Sequence, residues 1–181
     1  KGLLTSRPRQ GTRVEAVSHW NLLDPDVTRW MTERPYSHKI YRDLSEVRLA
    51  IEPIAASLAA KRASRADIRA IRAGLNGMRD DADHHDLALL ADIDFHVAIL
   101  QASGNPFIIQ LKELIHTALT ISIGLTNRIA GHTASIPAHE AVLIAIETGQ
   151  PAVAERAMRA IISESLEMVD SMQPEGETTA Q

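Results

Sequence analysis

The chain has 181 residues, which suffices for one domain with a substantial core, and 45% of them are hydrophobic, as in ordinary globular proteins. Its formal net charge of −4 gives no overall attraction to nucleic acid or acidic membranes. The absence of cysteine excludes disulfides, thiolate metal sites and a cysteine nucleophile. It also fits a reducing cytoplasm, where we expect this protein to be. No apolar run reaches the roughly 18 residues of a membrane span, so we expect no membrane segment.

Residues 1–17 are predicted to form a β-hairpin. Segments 2–6 and 12–17 are short strand candidates, and Pro8 and Gly11 supply the break between them. A lone hairpin is marginal in water, so it needs a missing N-terminal portion or a partner surface to pack against. Basic residues concentrate here, which indicates either an arm that touches phosphate or a solvated flexible end. They are Lys1, Arg7, Arg9 and Arg13, against the single acidic Glu15.

The remainder is predicted to be helical, because Ala, Leu, Arg and Glu are frequent and all favour helices. Residues 18–36 form a linker with a short helix that Asp24 caps and Pro25 opens. A helical domain follows over 37–172, and 173–181 is a disordered polar tail. Pro53 should kink the first helix or open its hydrogen bonding. The six predicted helices run over about 38–62, 65–81, 86–102, 105–129, 136–148 and 151–172.

Three residues could hold a divalent metal ion. Asp92 and His96 lie one turn apart on one helical face, beside an apolar row. His139 heads the inward stripe of a later helix. Carboxylate and neutral imidazole suit Zn, Ni, Mn or Fe. The alternative is that each is a hydrogen-bonded core residue.

Arg48 lies at the edge of the apolar row of the first helix, where a guanidinium needs an anion. It could pair with Glu52 or Glu46, or clamp a ligand carboxylate with two hydrogen bonds. Further candidates for a pocket lining are Ser122 and Asn127 in the fourth helix and Ser135 before the fifth, although Ser135 could equally be a cap.

Taken in order, these segments resemble the GntR superfamily of transcriptional regulators, in its FadR-like branch with an FCD effector domain. The first 14 residues resemble the wing hairpin that ends a winged helix-turn-helix. The stretches 46–48 and 51–53 resemble the first effector-domain helix. Later landmarks are Asp92-x-x-Phe95-His96, the segment 102–106 and His139-Glu140.

The resemblance implies a fold and a function. We expect an all-α antiparallel bundle of six to seven helices with a remnant hairpin, and a ligand-responsive repressor rather than an enzyme. It implies metal ligands at Asp92, His96 and His139, a carboxylate-binding Arg48, and a homodimer on operator DNA. In the family the recognition helix precedes the wing, so we expect it to lie outside this sequence. The wing would contact the DNA backbone through Arg7, Arg9 and Arg13.

One position departs from the family pattern. Many members place a fourth ligand, a His, about 22 residues after the third, where this chain has Ile161. The segment 20–26 and this missing His resemble regulators of sugar-acid catabolism, which implies a small carboxylate or sugar-acid effector.

Two other functions remain open. A metal-dependent hydrolase or lyase could use an open three-ligand site, with Glu140 or Asp94 as the base. However, each of these neighbours a ligand in sequence and points away from it. A helical adaptor without a small ligand would use the same polar residues as core pairs.

Overall fold

The computed structural model describes residues 1–24, 26–27, 30, 38–80, 84–130 and 135–171, with the backbone alone at 85 and 123–130. Within this part of the chain, seven α-helices follow a two-stranded hairpin, which confirms the predicted all-α class. The helices are α1 (His38–Arg62), α2 (Arg65–Asp80), α3 (His85–Ala102), α4 (Pro106–Ile109), α5 (Lys112–Ala130), α6 (Ile136–Glu147) and α7 (Pro151–Ser171). None of these described helices is long and apolar enough to cross a bilayer.

The helices pack in antiparallel fashion around one core. α1 lies against α7, α2 against α3, and α6 closes the bundle between α2 and α7. Aliphatic side chains fill most of the interior, as the scarcity of aromatic residues requires. The largest fully buried side chains of the protein are those of two aromatic residues, Tyr41 and Phe95, and of Ile71, Leu75, Ile99, Leu100, Ile115, Leu119, Ile121, Leu143, Met158 and Ile162.

Two helix starts carry local capping signals. Ser64 and Asp67 form a reciprocal capping box at the start of α2, because each side chain accepts the other residue's backbone N–H. Asn105 caps α4 by accepting the N–H of Phe107 at 3.0 Å, and Pro106 takes the first helical position. α1 runs continuously over 25 residues with Pro53 inside it.

The predicted single helix over 105–129 was wrong. It is divided into α4 and α5 by a tight turn at Gln110 and Leu111. The N–H of Leu111 donates to the carbonyl of Ile108, three residues back, at 3.0 Å. No proline or glycine marks this break in the sequence.

The hairpin consists of β1 (Leu4–Arg7) and β2 (Gly11–Val14), so both strands are shorter and shifted relative to the prediction. They pair antiparallel, with Leu4 opposite Val14 and Arg7 opposite Gly11. Residues 17–19 form a 3₁₀ turn instead of continuing the second strand. The hairpin is confirmed, while the tail 173–181 and most of the connector helix lie outside the described residues.

The hairpin packs against the residues that follow it. Trp20 donates its indole N–H to the Glu15 carbonyl at 2.8 Å, and the Asn21 N–H donates to the Lys1 carbonyl at 2.8 Å. The Lys1 ammonium lies 2.7 Å from Asp24. These contacts hold the hairpin to the start of the linker.

Candidate functional site

A polar stripe occupies the N-terminal half of the buried face of α1. Tyr41, Ser45, Arg48 and Glu52 recur at helical spacing, so they lie one above another on one side of the helix. All four are at most 3% exposed. Charged groups at this depth require partners, because the desolvation of an unpaired charge is costly.

Arg48 and Glu52 form a buried ion pair, in which Arg48 Nε lies 2.6 Å from Glu52 Oε1. This is one of the two partners that the sequence offered for Arg48. Among the described residues it is the one hydrogen bond that Arg48 makes, so its two terminal amino groups have no protein acceptor there. The pair leaves the outer edge of the guanidinium available to another anion.

The three predicted metal ligands converge. Asp92 and His96 on α3 meet His139 on α6, and each offers one ligand atom, with all three within 4.8 Å of one another. Asp92 Oδ1 lies 3.4 Å from His96 Nε2 and 3.1 Å from His139 Nε2. All three side chains are buried.

The other ring nitrogen of each histidine has its own partner. His96 Nδ1 faces Glu52 Oε2, and His139 Nδ1 donates to the Ser135 carbonyl at 2.8 Å. Such hydrogen bonds fix the tautomer of a metal-binding imidazole, with the proton on Nδ1 and the lone pair on Nε2. Both Nε2 atoms therefore face Asp92, on the side where a cation could be coordinated.

Two of the ligand atoms are orphaned. Asp92 Oδ1 and His139 Nε2 are buried and lie 3.1 Å apart, but neither atom forms a well-directed hydrogen bond among the described residues. Buried polar atoms are normally satisfied, and a cation between them would satisfy both. One carboxylate and two imidazoles form a donor set suited to Zn, Ni, Mn or Fe, so the residues fit a divalent metal.

The charges in this cluster depend on one another. Burial would raise the pKa of Glu52, but Arg48 and His96 outweigh it and lower that pKa to about 2. Burial would lower the pKa of His96, but Glu52 and Asp92 outweigh it and raise that pKa to about 9. The two imidazoles likewise outweigh burial and hold the pKa of Asp92 well below its usual range. Without metal, the cluster keeps both carboxylates ionised.

Other predicted site residues are placed as follows. Ser122 is buried on α5, with its hydroxyl 3.4 Å from that of Ser165 on α7. Ser135 precedes α6 and contributes its carbonyl to His139, while its side chain makes no cap hydrogen bond. The side chain of Asn127 lies outside the described atoms. Ile161 on α7 is partly buried against the apolar core.

The wing arginines lie on the exposed hairpin. Arg7, Arg9 and Arg13 are all exposed. Arg7 and Arg13 line one shallow cavity of about 380 Å³. They share a face of the hairpin because Arg13 lies opposite Thr5, two residues from Arg7. Arg9 occupies the turn with a φ of 65°.

Sequence reasoning missed three contributors to the site. Glu52 was considered only as a partner of Arg48, although it also contacts His96 from 44 residues away. Phe95 packs edge-on against the rings of His96 and His139, at centroid distances of 5.6 and 5.1 Å. Tyr41 donates to or accepts from Ser165 at 3.0 Å. The helical spacing of residues 41, 45, 48 and 52 was the available signal for Tyr41.

Comparison with known proteins agrees with this architecture. The family model described as the FCD domain matches residues 43–164. A galactonate operon transcriptional repressor from Escherichia coli is 32% identical over 91% of this chain and 73% of its own length. A putative L-lactate dehydrogenase operon regulatory protein from the same species is 30% identical over 90% of this chain and 64% of its own length. The structure of a Streptococcus agalactiae GntR protein has a TM-score of 0.63 at 21% identity, covering 92% of this chain and 75% of that one.

Proposed function

We propose, from the premise that this chain belongs to the GntR superfamily of transcriptional regulators with an FCD domain, that its bundle binds a small 2-hydroxycarboxylate effector beside a divalent metal. The family consists of regulators, so the hydrolase, lyase and adaptor alternatives are not favoured. Asp92, His96 and His139 would hold the metal, which would supply a Lewis-acidic contact for a carboxylate and its neighbouring hydroxyl.

The observation that carries this proposal is the state of Arg48. Arg48 is only 3% exposed as a residue, yet among the described residues only its Nε has a hydrogen-bond acceptor. The pKa of Arg48 is raised, because Glu52 outweighs burial and Asp92 adds to it. A guanidinium fixed at Nε and open at its outer edge can bind a carboxylate with two parallel hydrogen bonds.

Hydroxyl groups near Arg48 favour a hydroxylated anion. Tyr41, Ser165 and Ser122 form a chain of hydroxyls that joins α1, α7 and α5, and Tyr41 lies on the same buried face of α1 as Arg48. The names of two relatives refer to operons for galactonate and L-lactate. Both anions carry a hydroxyl on the carbon next to the carboxylate, and galactonate has further hydroxyls that such a chain could bind.

The proposed mechanism is a shift in population. An effector that binds one arrangement of the bundle more tightly favours that arrangement and changes the spacing of two DNA-binding heads in a homodimer. The wing residues Arg7, Arg9 and Arg13 would contact operator phosphates. A regulator of this kind would act as a repressor in the cytoplasm.

Calorimetry and thermal shift with defined metal and anion test the proposal. We expect Zn²⁺ to raise the melting temperature, and D-galactonate to raise it further only when Zn²⁺ is present. An anion at 100 times its Kd should add about 2.7 kcal/mol. D-galactose, which has no carboxylate, should have no effect.

Three variants assign the residues in this experiment. His139→Ala should lose Zn²⁺. Arg48→Lys should lose D-galactonate even at Zn²⁺ concentrations that saturate its metal site, because Lys retains the charge without the planar pair of donors. Glu140→Gln is the matched control, since Glu140 follows His139 but pairs with Arg79 at the surface. Full D-galactonate binding by the Arg48→Lys variant, or without metal, would show that the proposed site is wrong.

A further inference from the structure

Glu52 contacts both halves of the proposed site. It is fully buried on α1, and its two carboxylate oxygens have different partners. Oε1 accepts the Nε–H of Arg48 at 2.6 Å, and Oε2 faces Nδ1 of His96 on α3. One side chain therefore connects the guanidinium that would bind an anion with an imidazole that would bind a metal.

Each of these contacts uses a nitrogen atom that is not needed to bind a ligand. Arg48 is bound at Nε, which leaves its terminal amino groups open, and His96 is bound at Nδ1, which leaves Nε2 facing Asp92. Glu52 thus occupies neither binding atom. It sets the plane of the guanidinium and the plane of the imidazole at the same time.

We propose that Glu52 is a positioning residue that couples metal binding at His96 to anion binding at Arg48. The identity of the anion rests on the proposed function, whereas the effect of Glu52 on the metal does not. Metal binding at Nε2 holds the ring of His96, the ring holds Glu52, and Glu52 holds the guanidinium in one orientation.

The expected sign of the coupling is positive. The first ligand to bind orders the chain of contacts from His96 to Arg48, so the second ligand binds to groups that are already ordered. The coupling is reciprocal, because the factor by which an anion tightens metal binding equals the factor by which metal tightens anion binding.

Glu52→Gln is the sharpest test. Glutamine has nearly the same shape but only one acceptor oxygen, so it cannot accept from Arg48 and His96 together. We would measure Zn²⁺ affinity by chelator competition, with and without D-galactonate, in wild type and variant. Glu140→Gln again serves as the control, because it makes the same chemical change at a residue whose one ion-pair partner among the described residues is Arg79.

In wild type, D-galactonate should tighten Zn²⁺ binding at least about fivefold. Glu52→Gln should weaken Zn²⁺ binding about 10- to 100-fold, as expected for a partner of a ligating histidine, and D-galactonate should no longer change it. Glu140→Gln should match wild type in both measurements. Wild-type Zn²⁺ affinity in Glu52→Gln, or an undiminished response to D-galactonate, would overturn the proposal.

A double-mutant cycle keeps the test independent of the anion. Arg48→Lys alone should weaken Zn²⁺ binding, although Arg48 is not a ligand. Combined with Glu52→Gln it should have no further effect, because the connection is already broken. Multiplicative effects would contradict the proposal. If Glu52→Gln does not fold, an unchanged Zn²⁺ affinity in Arg48→Lys would by itself contradict the proposal.

The two proposals fail in distinguishable ways. Failure of wild type to bind D-galactonate would count against the proposed sugar-acid function only. The Zn²⁺ affinities of Glu52→Gln, Arg48→Lys and the double variant would still decide whether Glu52 connects the two groups.

Discussion

The buried face of α1 has two halves of opposite chemistry. From Tyr41 to Glu52 the fully buried side chains are polar or charged, while in the following turns they are those of Pro53 and three alanines, Ala55, Ala56 and Ala59. Both halves are almost fully shielded from solvent. Depth of burial is therefore the same for a site and for a packing surface, and the chemistry of the buried groups distinguishes them. The alanine half brings neighbouring helices close, and the polar half keeps groups that a packing surface would exclude.

The largest expected effect is in the polar half. Arg48→Met should lower the free energy of unfolding by about 3–5 kcal/mol, because it leaves the buried carboxylate of Glu52 without its guanidinium. Arg48→Met/Glu52→Met should recover only part of this loss, since it removes the stranded carboxylate but also the acceptor of His96 Nδ1. Urea denaturation measures both variants. A double variant less stable than the single one would show that the polar half also contributes to stability as a unit.

The alanine half should respond to volume instead. Ala56→Leu should cost about 1–3 kcal/mol, because Ala56 is fully buried and extra methyl groups would force the neighbouring helices apart. The control is Ala50→Leu on the exposed side of the same helix, which should change stability by less than about 0.5 kcal/mol. Equal midpoints of thermal unfolding for the two variants would contradict close packing at this end of α1.

The smallest effect is expected at Tyr41, where the polar half begins. Tyr41→Phe removes the hydroxyl that lies 3.0 Å from that of Ser165 and should cost about 0.5–1.5 kcal/mol. Calorimetry on the same variant sharpens the comparison. Weaker D-galactonate binding with unchanged Zn²⁺ affinity would place the hydroxyls in the anion site, and unchanged D-galactonate binding would make them structural.

The sequence predicted the helices well because their ends depend on neighbouring residues. Ser64 with Asp67 and Asn105 with Pro106 are local signals, and the structure has a cap at each. The division of the predicted fourth helix near Leu111 has no such signal. Backbone geometry there depends on packing between α3 and α5, which periodicity does not report.

The candidate site, like the helices, was predictable where it depends on spacing within one helix. Inward spacing alone brought forward Asp92, His96 and His139, and the structure brings their ligand atoms together. Glu52 shows the limit of this reasoning. Its spacing from Arg48 is one helical turn and could be read from the sequence, but its contact with His96 joins two helices whose register only the fold determines.

The close approach of α2 and α3 has a consequence for how the site can vary. A Cβ on Gly74 would lie 2.7 Å from the backbone nitrogen of Phe95, next to His96. On its other side α2 packs against α6, where Arg72 pairs with Glu147 near the surface. α2 thus packs against both ligand-bearing helices, α3 and α6, although it supplies none of the three ligands. A larger side chain on α2, for example at Gly74, would shift α3 relative to α6. It would therefore change the metal affinity of the site without contacting any of its ligands.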